Sequence, residues 1–110
     1  MKGERSGDAI VKRCMAAVSW VTGVTIDDMI DVGDYKSPAH VSMAKDFVVR
    51  LATTRGLMSI NSATHAMGSH HAGYMGRRKR LDRAVARAPD VKLAWTRCVA
   101  KYDEIIEMTK

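Results

Sequence analysis

The sequence predicts an all-α fold: a single-domain helical bundle that contains a helix-turn-helix and carries an extra helix at its C-terminal end. Only 5% of the residues are aromatic, so the core must be built from Ala, Val, Ile, Leu and Met, and Ala, Leu and Met favour helices. Apolar residues recur at helical spacing in several separate segments, and the two prolines lie outside those segments. A length of 110 residues fits one compact domain.

The first helix is predicted to begin at Asp8, after a flexible tail of residues 1–7, and to end at Gly23. Its apolar stripe comprises Ile10, Val11, Cys14, Met15, Val18 and Val21. Thr25 and Asp28 then resemble a capping box, which predicts the start of a second, short helix.

That short helix covers 26–30, and the absence of periodicity predicts a loop over 31–36. Ser37 and Pro38 are expected to start the third helix, as its N-cap and its first helical residue, and Gly56 is expected to end it. The predicted buried residues of this helix are Val41, Ala44, Phe47, Val48, Leu51 and Ala52.

A short helix over roughly 59–66, a tight turn at 68–69 and a long basic helix over about 70–88 are predicted next. Gly73 and Gly76 weaken the first turns of the long helix. Gly73 either allows another molecule to approach the backbone closely or only weakens the helix.

Pro89 and Asp90 are expected to break the long helix and to cap the last one. The apolar face of the last helix comprises Val91, Trp95, Cys98, Val99, Tyr102, Ile105 and Ile106. We therefore divide the chain into a tail (1–7), a helix-turn-helix domain (8–88) and a C-terminal amphipathic helix (89–110). The last helix packs on the domain or on a partner.

The long basic helix is the most informative part of the sequence. The chain has a formal net charge of +6 and a sequence pI of about 9.6, which favours a polyanionic partner or serves only solubility. A short helix, a glycine turn and a second, basic helix form the arrangement in which the second helix enters the major groove of DNA. The alternative is a solvated run of charge. The predicted basic face comprises Arg77, Arg78, Lys79, Arg80, Arg83 and Arg87, opposed only by Asp82.

At these residues the sequence resembles the C-terminal DNA-binding domain of the bacterial chromosomal replication initiator DnaA, over about residues 8–87. Residues 23–30, Gly-Val-Thr-Ile-Asp-Asp-Met-Ile, follow the family's Gly-Leu-Ser-Val-Glu-Asp-Leu-Leu pattern. Residues 66–68, Ala-Met-Gly, match the Ala-Phe-Gly that closes the first helix of the family's helix-turn-helix. His71 falls on the histidine of its Asp-His-Thr-Thr segment, and 79–81 match its Arg-Lys-Ile. The resemblance implies a Trp-repressor-like helical fold and double-stranded DNA as the ligand.

The chain also departs from the family pattern. Ala72 and Gly73 replace the two base-reading threonines, and the arginine-rich loop corresponds to 31–36, which has two acids and one lysine. A nucleotide-binding Gly-x-x-x-x-Gly-Lys-Ser/Thr motif does not occur in the sequence. The expected DNA target therefore differs from that of the initiator. We expect a transcription regulator or, as an alternative, a replication accessory protein.

The candidate DNA contacts are Lys45, Ser69, His70, His71, Arg77, Arg78, Lys79, Arg80 and Arg83. Ser69 is placed to cap the long helix, whose N-terminus favours phosphate oxygens. The two histidines are candidates for contacts to bases or phosphates, and a capping or packing role for His71 stays open. The arginines and lysines are expected to contact phosphates, together with Lys36 from the preceding loop. Tyr74 is expected in the core rather than at the DNA.

Other classes of function fit the sequence less well. His65, His70 and His71 lack the paired cysteines of a zinc site, so we expect no metal or other cofactor. The acids are scattered at helix starts, which predicts that the chain is not an enzyme and has no small-molecule substrate. A helical protein-interaction module, with a homodimer formed through the last helix, stays open as the main alternative.

The sequence also gives expectations about the compartment. No stretch approaches 18 consecutive apolar residues, and no signal peptide is visible at the start, so we expect a cytoplasmic protein without a membrane span. Cys14 and Cys98 lie on apolar stripes and are expected to be buried free thiols, although a disulfide between the terminal helices stays open.

Overall fold

The computed structural model describes residues 6–30, 38–68 and 71–109, and within these ranges it contains helices and no strand. The helices are α1 (Ser6–Thr22), α2 (Ile26–Ile30), α3 (Ala39–Thr54), α4 (Ile60–Met67), α5 (His71–Arg87) and α6 (Pro89–Met108). The prediction of an all-α, single-domain helical bundle is confirmed. None of these helices combines the length and apolar character needed to cross a membrane.

The central helix of the bundle is α3, which packs against each of the other five helices. The six residues predicted to be buried on α3 are all buried, and Val49, Lys45 and Asp46 are buried as well. Phe47 is 1% exposed, and its ring centroid lies 5.8 Å from that of Trp95 on α6. Because α3 is covered on nearly every side, it forms the scaffold on which the other helices are arranged.

The apolar face of α6 packs mainly along α1. Cys98 and Tyr102 of α6 are buried, as are Cys14 and Val18 of α1. Both cysteines are free thiols. Burial raises the pKa of Cys14 to about 12 and that of Cys98 to about 11, so both thiols stay protonated at neutral pH. The stripe that the sequence offered as a dimer seam is therefore used within the chain.

Local capping signals place several helix ends where the sequence predicted them. Gly23 and Gly68 follow α1 and α4 with positive φ angles of 81° and 70°, a conformation that glycine adopts without a steric penalty. The Ser59 side chain accepts a 3.0 Å hydrogen bond from the Ser62 N–H, and Thr25 accepts one of 3.1 Å from the Asp28 N–H. These side chains satisfy donors that a helix N-terminus leaves unpaired.

Two other helix starts differ from the prediction. Helix α1 begins at Ser6, so Asp8 lies inside the first turn instead of at the N-cap, and residues 6 and 7 are helical although they were predicted as part of a tail. Helix α3 begins at Ala39, with Pro38 as N-cap, because the Pro38 carbonyl already accepts hydrogen bonds from the N–H groups of Val41 and Ser42. The predicted N-cap Ser37 and the predicted loop 31–36 lie outside the described residues.

The junction between α5 and α6 also differs from the prediction in detail. Ala88 is the N-cap of α6 and Pro89 its first residue, a position that suits proline because its fixed φ is helical and its missing N–H is not needed there. Asp90 therefore does not cap the helix. It lies in the first turn, where its charge complements the helix dipole.

Candidate nucleic-acid interface

Helices α4 and α5 form a consecutive pair joined only by residues 68–70. The N-cap Ser59 begins α4, and the left-handed Gly68, whose N–H donates to the His65 carbonyl at 3.0 Å, ends it. Ala63 and Met67 are buried and fix α4 against α3 and α1. Helix α5 then packs on α4, α6 and α3. The short helix thus positions the start of the long one.

Nearly all of the net charge of the chain resides on α5. The helix carries six basic residues and one acid, which gives it a formal charge of +5, against +6 for the whole chain. The remaining 93 residues are therefore almost neutral. A basic surface that only served solubility would be spread over the fold. Here the charge is confined to one helix.

Arg77 uses its charge inside the protein. Its Nε and Nη2 atoms donate hydrogen bonds to the two carboxylate oxygens of Asp46 on α3, each at 2.8 Å, in a bidentate pair. The side chain of Asp46 is only 8% exposed. We expected Arg77 to contact phosphate, but it instead fastens α5 to α3, because Asp46 would otherwise be a buried and unpaired charge.

The acid on α5 is also paired. Asp82 forms a salt bridge with Arg50 of α3, and the guanidinium of Arg50 lies 4.9 Å from the ring centroid of Trp95. Arg78 lines a shallow groove beside this pair, together with Tyr74. Two cross-helix pairs, Arg77–Asp46 and Arg50–Asp82, thus balance the acids where α3 meets α5.

The outward face of α5 is a stripe of residues spaced three and four apart, all of them exposed: Ala72, Gly76, Lys79, Arg83 and Arg87. Lys79 to Arg87 extends about 12 Å along the helix axis. Arg80, also exposed, flanks this stripe on the side of Asp46. Within the part of the chain that the structure describes, Lys79, Arg80 and Arg83 form no ion pair. Helical spacing places Lys79 and Arg83 on a different side of α5 from Arg77. The sequence alone therefore contains the signal that separates outward basic residues from the one that faces α3.

The outward surface near the start of α5 is small and open. A Cβ added to Gly76 would meet no atom within 4 Å, so no packing contact among the described residues requires glycine there. Glycine inside a helix costs about 1 kcal/mol relative to alanine. Ala72 and His71 are exposed beside it. This end of α5 therefore offers a surface that another molecule can approach closely.

The remaining predicted contacts fall into two groups, Lys45 and the residues outside the described part of the chain. Lys45 is 4% exposed within α3, so in this fold it does not reach a ligand on the outer surface, contrary to the expectation from sequence. Ser69 and His70 lie outside the described residues, as does Lys36. Tyr74 is buried in the core as predicted, and burial raises the pKa of its phenol.

The structure also bears on metal binding. Among residues 6–30, 38–68 and 71–109, no three His, Cys, Asp or Glu side chains lie close enough together to hold a metal ion. His65 and His71 therefore form no such cluster there.

Comparison of the chain with protein-family models, with curated proteins and with solved structures finds no match in any of the three.

Proposed function

We propose that this protein binds double-stranded DNA with α5 as its recognition helix and that this binding regulates transcription. One observation carries the proposal: the net charge of the chain is concentrated on α5, the helix that follows the short α4 after residues 68–70, and four of its basic residues, Lys79, Arg80, Arg83 and Arg87, are exposed and in no ion pair among the described residues. A helix presented in this way fits the major groove of B-DNA, which is wide enough to admit it.

The two halves of the outward face suit different parts of a duplex. The first half is small, with Ala72 and Gly76, so the helix backbone approaches base edges closely. The second half bears Lys79, Arg83 and Arg87, whose long side chains reach phosphates along the groove. His71, exposed at the helix start, is the candidate for a base contact.

The two cross-helix ion pairs favour the same orientation. Asp46 of α3 and Asp82 of α5 are each held by an arginine of the other helix. Their charges are thereby balanced within the fold and repel phosphate less. The outward lysine and arginines keep their charge for a polyanion.

Regulation of transcription is preferred to a role in replication because binding to duplex DNA through α5 suffices for it. A replication accessory protein with the same DNA-binding face is the alternative. The sequences that the protein retains from a genome distinguish the two roles, since promoter sites indicate regulation and replication origins indicate the alternative.

The proposal is tested by titrating labelled duplex fragments with the protein at about 50 mM and about 200 mM salt. If about four phosphates are contacted, the logarithm of the affinity falls with the logarithm of salt at a slope of about −3 to −4. Retained genomic fragments are then sequenced, and one enriched motif is expected. Absence of binding at the lower salt would contradict the proposal.

Matched variants locate the interface. Lys79→Ala and Arg83→Ala should each reduce the magnitude of the salt slope by about 0.9, because each removes one phosphate contact. Lys92→Ala, on the exposed side of α6, removes the same charge and should leave the slope unchanged. Equal effects of all three substitutions would mean that total charge, rather than the α5 face, determines binding.

A further inference from the structure

The side of α6 that faces away from the bundle carries its own ordered stripe. Five residues recur there at spacings of three and four, so they lie on one face of the helix. They are Leu93, Arg97, Ala100, Glu104 and Met108. Leu93 is 50% exposed and Met108 is 72% exposed, and the other three are exposed as well. The stripe has an apolar residue at each end, then a basic residue on one side and an acidic residue on the other, and the small Ala100 near its middle.

Trp20 of α1 borders this stripe. Its side chain is 73% exposed, and a shallow groove that it lines is shared with Arg97, Ala100 and Glu104. The ammonium of Lys101 lies 4.1 Å from the centroid of the Trp20 ring, in cation–π geometry. An exposed tryptophan beside the middle of a stripe that ends in exposed Leu93 and Met108 is typical of a surface that is covered in an assembly.

The stripe is complementary to itself. If two copies of α6 pack antiparallel about a two-fold axis between Ala100 and Lys101, each residue lies level with the residue equally far beyond the axis. Arg97 then faces Glu104 of the second copy, and Glu104 faces Arg97 of the second copy. Leu93 similarly lies level with Met108 of the second copy. At the axis Ala100 lies level with Lys101 of the second copy, whose ammonium is directed to Trp20 and Glu104 of its own chain, so the small Ala100 allows the two helices to approach closely.

We infer that this face, Leu93 to Met108 with Trp20 beside it, is the interface of a homodimer with two-fold symmetry. A second copy is the fitting occupant because one surface bears both charges at equal distances from a single point, as an isologous interface requires. A partner of one charge would meet repulsion from either Arg97 or Glu104. The inference does not depend on DNA binding, since it uses α6 and α1 whereas the proposed DNA-binding face is on α5.

Charge reversal tests the interface by sedimentation equilibrium over a micromolar concentration series. The unaltered protein should dimerise. R97E and E104R alone should each raise the dimer Kd by at least about tenfold, because two like-charge contacts replace two attractive ones. Mixing the two variants should restore association, as a dimer of one R97E chain and one E104R chain, because both contacts then pair opposite charges. The double variant R97E/E104R should dimerise by itself.

Lys92→Glu makes the same charge reversal on another exposed side of α6 and should leave the dimer Kd unchanged. Helical circular dichroism verifies that every variant is folded. An unaltered protein that stays monomeric throughout the series would overturn the inference. So would single variants that dimerise as tightly as the unaltered protein, or a mixture of R97E and E104R that fails to associate.

Discussion

Helices α3 and α5 lie side by side and have nearly the same length, but they are held in the fold by different forces. Nine of the 16 residues of α3 are buried, whereas α5 buries only Tyr74 and Leu81 among its 17 residues. Apolar packing therefore secures α3. Helix α5 depends on those two side chains and on the pairs Arg77–Asp46 and Arg50–Asp82.

Because of this difference, α3 serves mainly stability and α5 is available for ligand binding. A helix with more than half of its residues buried can hold the bundle together, but it has little surface left for a ligand. A helix attached along a narrow inner edge keeps most of its circumference open, and on α5 the open part carries Lys79 and Arg83. Substitutions in α3 should therefore change mainly stability, and substitutions on the open part of α5 should change mainly ligand binding.

The largest effect is expected in α3. Phe47→Ala should lower the free energy of unfolding by about 3–5 kcal/mol, because a large side chain that is 1% exposed and touches Trp95 leaves a cavity. Leu81→Ala in α5 should cost less, near the lower end of the 2–5 kcal/mol range for this change, because Leu81 lies at an edge that can collapse. Urea unfolding measures both values. Equal losses would contradict the contrast between the helices.

An intermediate effect is expected where α5 meets α3. Arg77→Met should cost about 1–3 kcal/mol, because it leaves Asp46, with a side chain only 8% exposed, without its bidentate partner. Arg83→Met is the matched control on the outward face and should change stability by no more than about 0.5 kcal/mol. Urea unfolding measures both variants.

The two arginines should exchange roles in DNA binding. At a temperature where both variants are folded, Arg83→Met should weaken DNA binding and lower the salt slope, whereas Arg77→Met should leave the slope unchanged. If Arg77→Met lowered the slope as much as Arg83→Met, the ion pair with Asp46 would not survive contact with DNA. The inner edge of α5 would then contact DNA as well as α3, contrary to the roles assigned to Arg77 and Arg83.

The same contrast explains which features the sequence could predict. Gly23 as the end of α1 and Thr25 as the cap of α2 were assigned correctly because capping is decided by neighbours within one helical turn. The pairing of Arg77 with Asp46 joins residues 31 positions apart. It depends on how two helices pack, which no local pattern specifies.

The burial of charged residues was the second feature that the sequence did not predict. Lys45 looked like a surface residue because lysine is almost never fully buried unless it is paired, but α3 is enclosed on the side where Lys45 lies. On α5 the available signal was helical spacing. It places Arg83 opposite the buried Tyr74 and Arg77 beside the core. The sequence therefore distinguishes an outward basic residue from one that faces the bundle.

The smallest effects are expected at Gly76, where one added methyl group should change stability and DNA binding in opposite directions. Gly76→Ala should raise the free energy of unfolding by about 0.5–1 kcal/mol, because alanine favours the helix and the added methyl meets no atom within 4 Å. The same methyl lies on the face proposed to approach DNA and should weaken binding severalfold. Urea unfolding and duplex titration measure the two effects. If stability and affinity rise together, Gly76 does not lie against the duplex, and contact would have to be confined to the basic half of α5.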